Sequence, residues 1–192
     1  MIQTLKNNWR LLALCGMLEV ILSAIYLIMQ QTDGPVAFHS WNATIALLGK
    51  LALVAGACAI AAGMWRPADG RCWLLVLHGV ALGALGVIQT SLVRFRISFL
   101  TVALLVILMA TSLGILELRI ARTLRRGGWI MTLAGTASVG FAVAFLALGL
   151  RWMTIERHAD LAWLSAYFGL SAISMAGLVT LRRHREQMHG SR

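Results

Sequence analysis

Two charged residues stand inside apolar stretches of this chain, where a charge needs either a function or a partner. Glu19 follows Trp9 by ten residues, and Lys50 follows Trp41 by nine. If each tryptophan marks the end of a membrane-spanning helix, both charges lie about 14–15 Å deep, near the middle of a hydrocarbon core roughly 30 Å thick. A charge at that depth costs at least about 2.5–3.5 kcal/mol on insertion scales, so we expect a partner or a wet cavity.

Glu19 and Lys50 lie on successive apolar stretches, which predicts that they meet across one hairpin as an intramembrane polar pair. An ion pair would fix the register of the two helices, whereas a pair lining a path would relay protons or a solute. A third interpretation is that the two residues are close by chance and that each extends towards the membrane surface. The placement of the two side chains distinguishes these alternatives.

The histidines are candidates for a response to protons, because imidazole changes charge between pH 5 and 8. His78 lies five residues after Trp73 and is expected in the inner half of a helix. It would be either a neutral ring bonded to a neighbouring helix or a group that moves protons. His39 and His158 lie in predicted outer connections. They would either gain charge as an outer compartment acidifies or be solvated loop residues.

The sequence has no pattern typical of a catalytic, metal or cofactor site. The tail histidines His184 and His189 are five positions apart and lack accompanying ligands. Cys15, Cys58 and Cys72 fall within or at the inner ends of apolar stretches, so we expect packing residues rather than a disulfide. No nucleotide-binding glycine-rich loop, His-Glu-x-x-His or nucleophile elbow is present. We therefore predict a protein that is not an enzyme and uses no cofactor or metal.

Helices that cross a membrane must position these residues. Hydrophobic residues make up 59% of the chain and charged residues 12%, which leaves too little polar surface for a soluble fold. The apolar residues lie in runs of about twenty, the length that spans a bilayer core. The expected spans are 10–30, 41–64, 73–92, 98–118, 129–150 and 161–181. The predicted fold class is all-α, a polytopic membrane protein with six transmembrane helices.

The spans are expected to form three hairpin repeats within a single transmembrane domain that covers residues 1–192. The hairpins cover about 9–64, 73–118 and 129–181, and a basic cytoplasmic tail follows at 182–192. Trp9, Trp73 and Trp129 open the hairpins, and each precedes a glycine by six or seven residues. This similarity indicates a threefold internal repeat.

Positive charge is concentrated on one predicted face of the membrane. Twelve of the 17 Lys and Arg residues fall at the N-terminus, in the second and fourth connections and in the tail, against four on the opposite face. Short loops rich in Lys and Arg stay cytoplasmic, so both termini are predicted to be cytoplasmic. The net charge of +10 then reflects topology and anionic lipid headgroups in the bilayer rather than nucleic acid.

Small residues predict how the helices pack. Gly49, Gly56 and Gly63 recur every seven residues along the second span, and Gly79 and Gly83 have small-xxx-small spacing in the third. In lipid, such faces let two backbones approach closely. They indicate either packing within the chain or the interface of a homo-oligomer.

Two longer motifs carry a resemblance. The joint at 117–129 holds four arginines and runs into Gly-Gly-Trp129-Ile-Met-Thr-Leu-Ala-Gly135. The last span reads Trp163-Leu-Ser-Ala-Tyr167-Phe-Gly169 and continues to Leu-Arg-Arg. With the three Gly/Ala-rich hairpins, these motifs resemble the HdeD-like family of acid-resistance membrane proteins. Pro35 fits a turn proline found in that family, whereas the third hairpin has Arg151-Trp-Met at the corresponding place.

The resemblance implies a multi-pass protein of the bacterial inner membrane that supports survival under acid or envelope stress, and it offers no catalytic residues. Such a protein would act by shaping the bilayer, by assembling with membrane stress partners or by limiting proton entry. The alternative function is a small transporter or a proton or solute channel that uses Glu19 and Lys50. A third hypothesis is a subunit or chaperone-like partner of a larger membrane complex. A water-filled cavity at Glu19 would favour transport, and a dry contact would favour a structural role.

Overall fold

The computed structural model describes the backbone of residues 7–31, 37–65, 70–91, 99–123, 128–151 and 157–189, and the side chains of 7–31, 43–65, 70–91, 101–123, 128–147 and 161–179. These ranges contain six long helices and no strand. The helices are α1 (Trp9–Gln31), α2 (Ala37–Met64), α3 (Trp73–Ser91), α4 (Phe99–Thr123), α5 (Gly128–Arg151) and α6 (Arg157–His189).

Each helix contains a stretch of 19 to 23 residues that is long and apolar enough to cross a membrane. The prediction of an all-helical chain with six such helices is therefore confirmed, and it indicates a multi-pass membrane protein. Large apolar side chains also cover the outside of the bundle, as lipid contact requires. Examples are Met17 at 64% exposure, Leu133 at 67% and Ile173 at 69%.

The largest departure from the expected boundaries is in α6, which runs from Arg157 to His189 against 161–181, and the next largest is at the end of α4. The predicted span ended at 118, but the helix continues to Thr123. Leu113, Leu116 and Ile120 keep the three- and four-residue spacing of a buried helix face, and all three are buried. The start of the arginine-rich joint is thus a continuation of this helix, and Glu117 lies within it.

The closest helix pairs are α2 with α3, α1 with α6, and α4 with α5. Contacts of α1 with α2 and of α3 with α4 are fewer, and those of α5 with α6 are fewer still. The tightest packing therefore joins helices of successive predicted hairpins, including the first and the last helix of the chain. Small residues at these three interfaces explain the difference.

The glycine face of α2 packs against α3 along its length. A Cβ added to Gly56 would lie 2.6 Å from the carbonyl oxygen of Gly79, and one added to Gly86 would lie 2.6 Å from that of Gly49. Further along, a Cβ on Gly63 would lie 3.0 Å from the carbonyl oxygen of Cys72. The two helices run antiparallel with backbones in direct contact. Packing within the chain therefore accounts for this glycine spacing.

The other two close pairs use fewer small residues. In α4 and α5, a Cβ on Gly114 would lie 2.9 Å from the carbonyl oxygen of Gly135. Between α1 and α6, Ser23 donates a hydrogen bond to the carbonyl oxygen of Ser165 at 2.8 Å, and Ser165 donates one to that of Ser23 at 3.0 Å. Hydroxyl groups that bond across helices add to van der Waals packing in a membrane.

Candidate functional site

Glu19 lies in the interior of the bundle with both carboxylate oxygens occupied. Its side chain is 0% exposed. Ser171 of α6 donates a hydrogen bond to Oε2 at 2.9 Å, and Nε2 of His78 of α3 lies 3.2 Å from Oε1. Within α1, the Cys15 thiol lies 3.8 Å from Oε1. Three helices therefore meet at one carboxyl group.

The sequence of α1 explains this position. The buried residues of α1 follow one helical face, and Glu19 is in the middle of it. The face comprises Leu12, Cys15, Gly16, Glu19, Leu22, Tyr26 and Met29. One turn before Glu19, a Cβ on Gly16 would lie 3.0 Å from the Cβ of Met175. The small residue lets α6 approach closely enough for the Ser171 hydroxyl to reach the carboxyl.

His78 is the second member of this centre and is also 0% exposed. Its Nδ1 lies 3.4 Å from the carbonyl oxygen of Met109 in α4 and 3.4 Å from the hydroxyl of Tyr167 in α6. With Glu19 at Nε2, the ring touches polar groups of α1, α4 and α6. Of the two interpretations of His78, a neutral ring bonded to a neighbouring helix agrees with these contacts, and the charge of the ring and a part in moving protons stay predictions.

The pair can hold a single proton in two ways without net charge. Either His78 is an imidazolium beside an ionised Glu19, or a neutral acid donates to Nε2 while Nδ1–H donates to the Met109 carbonyl. Removing the proton leaves one negative charge in the interior, and adding a second leaves one positive charge. Both changes are costly in a medium of low dielectric constant.

The predicted pairing of Glu19 with Lys50 is not what the fold contains. Lys50 is exposed, whereas Glu19 is fully buried and joined to His78. The cause is the rotation of α2. Its buried face includes Leu48 and Ala52, and Lys50 lies midway between them, about 200° from each at 100° per residue. Lys50 therefore lies on the outer side of α2.

A second buried acid lies at the junction of α4, α5 and α6. Glu117 is 0% exposed, and Ser138 of α5 donates a hydrogen bond to its Oε2 at 3.3 Å. Sequence reasoning missed this site because Glu117 was assigned to the arginine-rich joint. The signal was present in the spacing, since Glu117 stands four residues after Leu113 and three before Ile120, on the face that α4 buries.

A third polar contact joins α1 to α3 farther along both helices. Gln89 donates from Nε2 to the hydroxyl of Tyr26, and both side chains are buried. The two contacts between these helices, Glu19 with His78 and Tyr26 with Gln89, follow the same order along both. The helices α1 and α3 therefore run in the same direction across the interior. Aromatic packing continues from there, with the rings of Tyr26 and Phe168 stacked at 5.7 Å.

The cysteines, a possible metal site and two histidines are the remaining points of the sequence analysis. Cys15 and Cys72 are buried and Cys58 is partly buried, and all three are free thiols. Within the described ranges, no group of three or more His, Cys, Asp or Glu residues is placed to hold a metal ion. The predicted proton-responsive residues His39 and His158 were expected in outer connections, but their backbone lies in the first turn of α2 and of α6. Their side chains lie outside the described part of the chain.

Comparisons of the chain with protein-family models, with curated proteins and with solved structures gave no match. The resemblance to the HdeD-like family stays a prediction that depends on the motifs quoted above.

Proposed function

We propose that this chain is a non-enzymatic protein of the bacterial inner membrane that supports survival under acid stress, with Glu19 and His78 as its proton-responsive centre. The observation that carries the proposal is the contact of 3.2 Å between a carboxyl and an imidazole that are both fully buried. Ionisable residues inside a membrane are rare and are associated with function or with specific pairing.

The proposed response follows from how the pair holds its proton. With one proton shared, the pair is neutral and its hydrogen bonds hold α1, α3 and α6 together. A second proton gives both partners a proton to donate and leaves an unpaired positive charge. The other groups close to Glu19 are Cys15 on its own helix and Ser171 and Tyr167 on α6, and they carry no negative charge at low pH. Glu117 of α4 also acts on His78, and this acid loses its negative charge as the pH falls. Acidification therefore weakens this junction.

A second candidate is proton or solute movement. The observation in its favour is the polar chain from Tyr167 through His78 and Glu19 to Ser171, in which consecutive groups lie within 3.4 Å. In this form the path uses His78 where the sequence suggested Lys50. Purified protein in liposomes with an internal pH dye separates the two candidates. Proton flux that Glu19→Gln abolishes supports transport, and flux equal to that of empty liposomes supports a non-conducting response.

The experiment that tests the function is acid survival of a deletion strain. We expect lower survival after acid challenge and nearly normal growth at neutral pH. Wild-type protein should restore survival, and Glu19→Gln at equal protein level should not. A variant with both His39 and His158 replaced tests the outer face separately. Unchanged acid survival of the deletion strain, in the absence of a redundant paralogue, would contradict the proposal.

We also propose that both termini are cytoplasmic and that the bundle has threefold internal symmetry. The charge count supports the first proposal. The second is supported by the three closest helix pairs, each of which joins the second helix of one hairpin to the first helix of the next around a ring. Cysteine probes near Asp33, Arg94 and Arg157 should react with an impermeant reagent from outside, and a probe at Gly127 should not.

A further inference from the structure

One face of α6 contacts the buried base and both buried acids of the bundle. Three buried polar side chains form this face, and their spacing of four and then three residues places them one above another on a helix. They are Tyr167, Ser171 and Ser174. In the same order, their partners are His78 at 3.4 Å, Glu19 at 2.9 Å and Glu117. The first and last are seven positions apart, or about 10 Å along the helix axis, so the two acids belong to one polar region.

His78 connects the two acids electrostatically. Its ring lies 3.2 Å from Oε1 of Glu19, and its charge also acts on the carboxyl of Glu117 across the interface of α3 and α4. The hydroxyl of Tyr167 is subject to the charge of both acids. Charges interact strongly in an interior of low dielectric constant. The protonation of Glu117 therefore depends on the charge of the Glu19–His78 pair.

The described part of the interior has more acid than base. Its buried carboxyl and imidazole groups are Glu19, Glu117 and His78. The described Lys and Arg side chains are all exposed, and they are Arg10, Lys50, Arg71, Arg119 and Arg122. The described part of α5 has no titratable residue, and that of α6 has only Tyr167. His78 can neutralise one carboxylate, so the second leaves a negative charge that only a proton from outside the chain can remove within these residues.

The surroundings of Glu117 suit both forms of its carboxyl group. Ser138 of α5 donates a hydrogen bond to Oε2 at 3.3 Å, and the hydroxyl of Ser174 of α6 hydrogen-bonds with the same carboxyl group. A hydroxyl group can donate to a carboxylate, and it can accept from a protonated acid. A proton can therefore bind to Glu117 and leave it while the hydrogen bonds between α4, α5 and α6 are kept.

We propose that Glu117 is a second proton-binding site that is coupled to the Glu19–His78 pair, so that the interior takes up protons in two steps. This inference rests on the proposed function, which gives the pair its response to acid. With one proton held by the pair, the three groups carry one net negative charge. The first added proton neutralises Glu117, and the second leaves the unpaired positive charge that weakens the junction of α1, α3 and α6. Glu117 thus sets how many protons enter before the bundle responds.

Infrared spectroscopy tests this coupling, because the C=O band of a protonated carboxyl group is separate from the bands of an ionised one. Purified full-length protein in lipid is titrated with acid, and the band that Glu117→Gln removes gives the titration curve of Glu117. The same difference is then measured in a His78→Gln background, which keeps a hydrogen-bonding side chain and loses the charge. We expect Glu117 to keep its proton to a pH about 1 unit higher in that background, because a positive charge on His78 favours the ionised acid. A Glu117 curve that is the same in both backgrounds would overturn the coupling.

Gln89→Leu is the matched control for His78→Gln. Gln89 also lies on α3, is buried and bonds to α1 through Tyr26, but it carries no charge. Its replacement removes a hydrogen bond between helices without changing the charge near Glu117, so the curve of Glu117 should match that of the wild-type protein. A change as large as that in His78→Gln would show that altered packing moves the curve, and it would count against the coupling.

Acid survival separates this inference from the function on which it rests. A survival defect in Glu19→Gln together with an unchanged infrared curve of Glu117 would support the proposed function and overturn the second site. Coupled titration of Glu117 together with normal acid survival of the deletion strain would support the second site and contradict the proposed function.

Discussion

The two buried acids of this bundle have equal burial but unequal surroundings. Glu19 and Glu117 are both 0% exposed. Glu19 has Ser171 on one oxygen and His78 on the other, so its charge and its hydrogen bonds are both matched within the chain. Glu117 has the hydroxyls of Ser138 and Ser174 beside its carboxyl, and among the described residues no basic side chain bonds to it.

The difference shows that burial alone does not assign a role to an intramembrane acid. A carboxyl group with a basic partner has its charge and its hydrogen bonds matched within the protein, and it holds helices together. A carboxyl group bonded only by hydroxyls has hydrogen bonds but no basic partner that matches its charge. Four comparisons of variants test this contrast, and they follow from the largest expected effect to the smallest.

His78→Leu should have the largest effect because it leaves the buried Glu19 without its basic partner. Breaking a buried pair from one side costs about 3–5 kcal/mol. The double variant Glu19→Gln/His78→Leu should be less unstable than the sum of its two single variants. Thermal unfolding in detergent and expression level measure the effect. Effects that simply add would show that the two residues do not interact.

Gly114→Ala should come second, because the new methyl group would meet a backbone atom. Its Cβ would lie 2.9 Å from the Gly135 carbonyl oxygen, and overpacking of this kind costs about 1–3 kcal/mol. The control is Gly140→Ala, since a Cβ there meets nothing within 4 Å. The control should be neutral or slightly stabilising. Equal stability of the two variants would show that the close approach at Gly114 does not stabilise the packing around Glu117.

Ser171→Ala should cost more than Ser138→Ala, which compares the two acids directly. Ser171 donates to Glu19 at 2.9 Å, and Ser138 donates to Glu117 at 3.3 Å. A buried hydrogen bond contributes about 0.5–1.5 kcal/mol, and the shorter bond, to the acid that lies beside a basic group, is expected to contribute more. Unfolding midpoints of the two variants, measured in the same buffer, give the comparison. A larger loss of stability in Ser138→Ala would mean that Glu117, rather than Glu19, has the stronger hydrogen bond.

Lys50→Met should have the smallest effect. Lys50 is exposed on the outer side of α2, and such substitutions usually change stability by no more than about 0.5 kcal/mol. The same unfolding assay measures it beside His78→Leu. A loss as large as that of His78→Leu would mean that Lys50, rather than His78, is the partner of Glu19.

The sequence predicted the elements of this fold well because each helix must match the bilayer in length and apolarity. Trp73 was placed at the start of a helix, and α3 begins there. The need of Glu19 for a partner followed from its place inside an apolar stretch, and it was also predictable. The polar partners were harder, because they depend on how each helix is rotated. For Lys50, a rotation of about half a turn separates the interior from the lipid.

Glu117 was missed for a different reason. Its neighbours Arg119 and Arg122 are exposed, and their charges suggested a solvated joint. The apolar spacing of α4 continued through the same residues and was the better guide. Composition describes a segment as a whole, whereas spacing separates its two faces.

The pairing of α1 with α6 has a consequence for how the chain is made. Glu19 and Ser171 are 152 positions apart, whereas Glu19 and His78 are 59 apart. At a synthesis rate of about 5–20 residues per second, the serine follows the glutamate after roughly 8–30 s and the histidine after roughly 3–12 s. After α1 is synthesised, Glu19 therefore remains for several seconds without its partners His78 and Ser171. In a chain that stops before α6, Oε2 of Glu19 lacks the hydrogen bond from Ser171. This missing bond distinguishes an incomplete chain from a complete one.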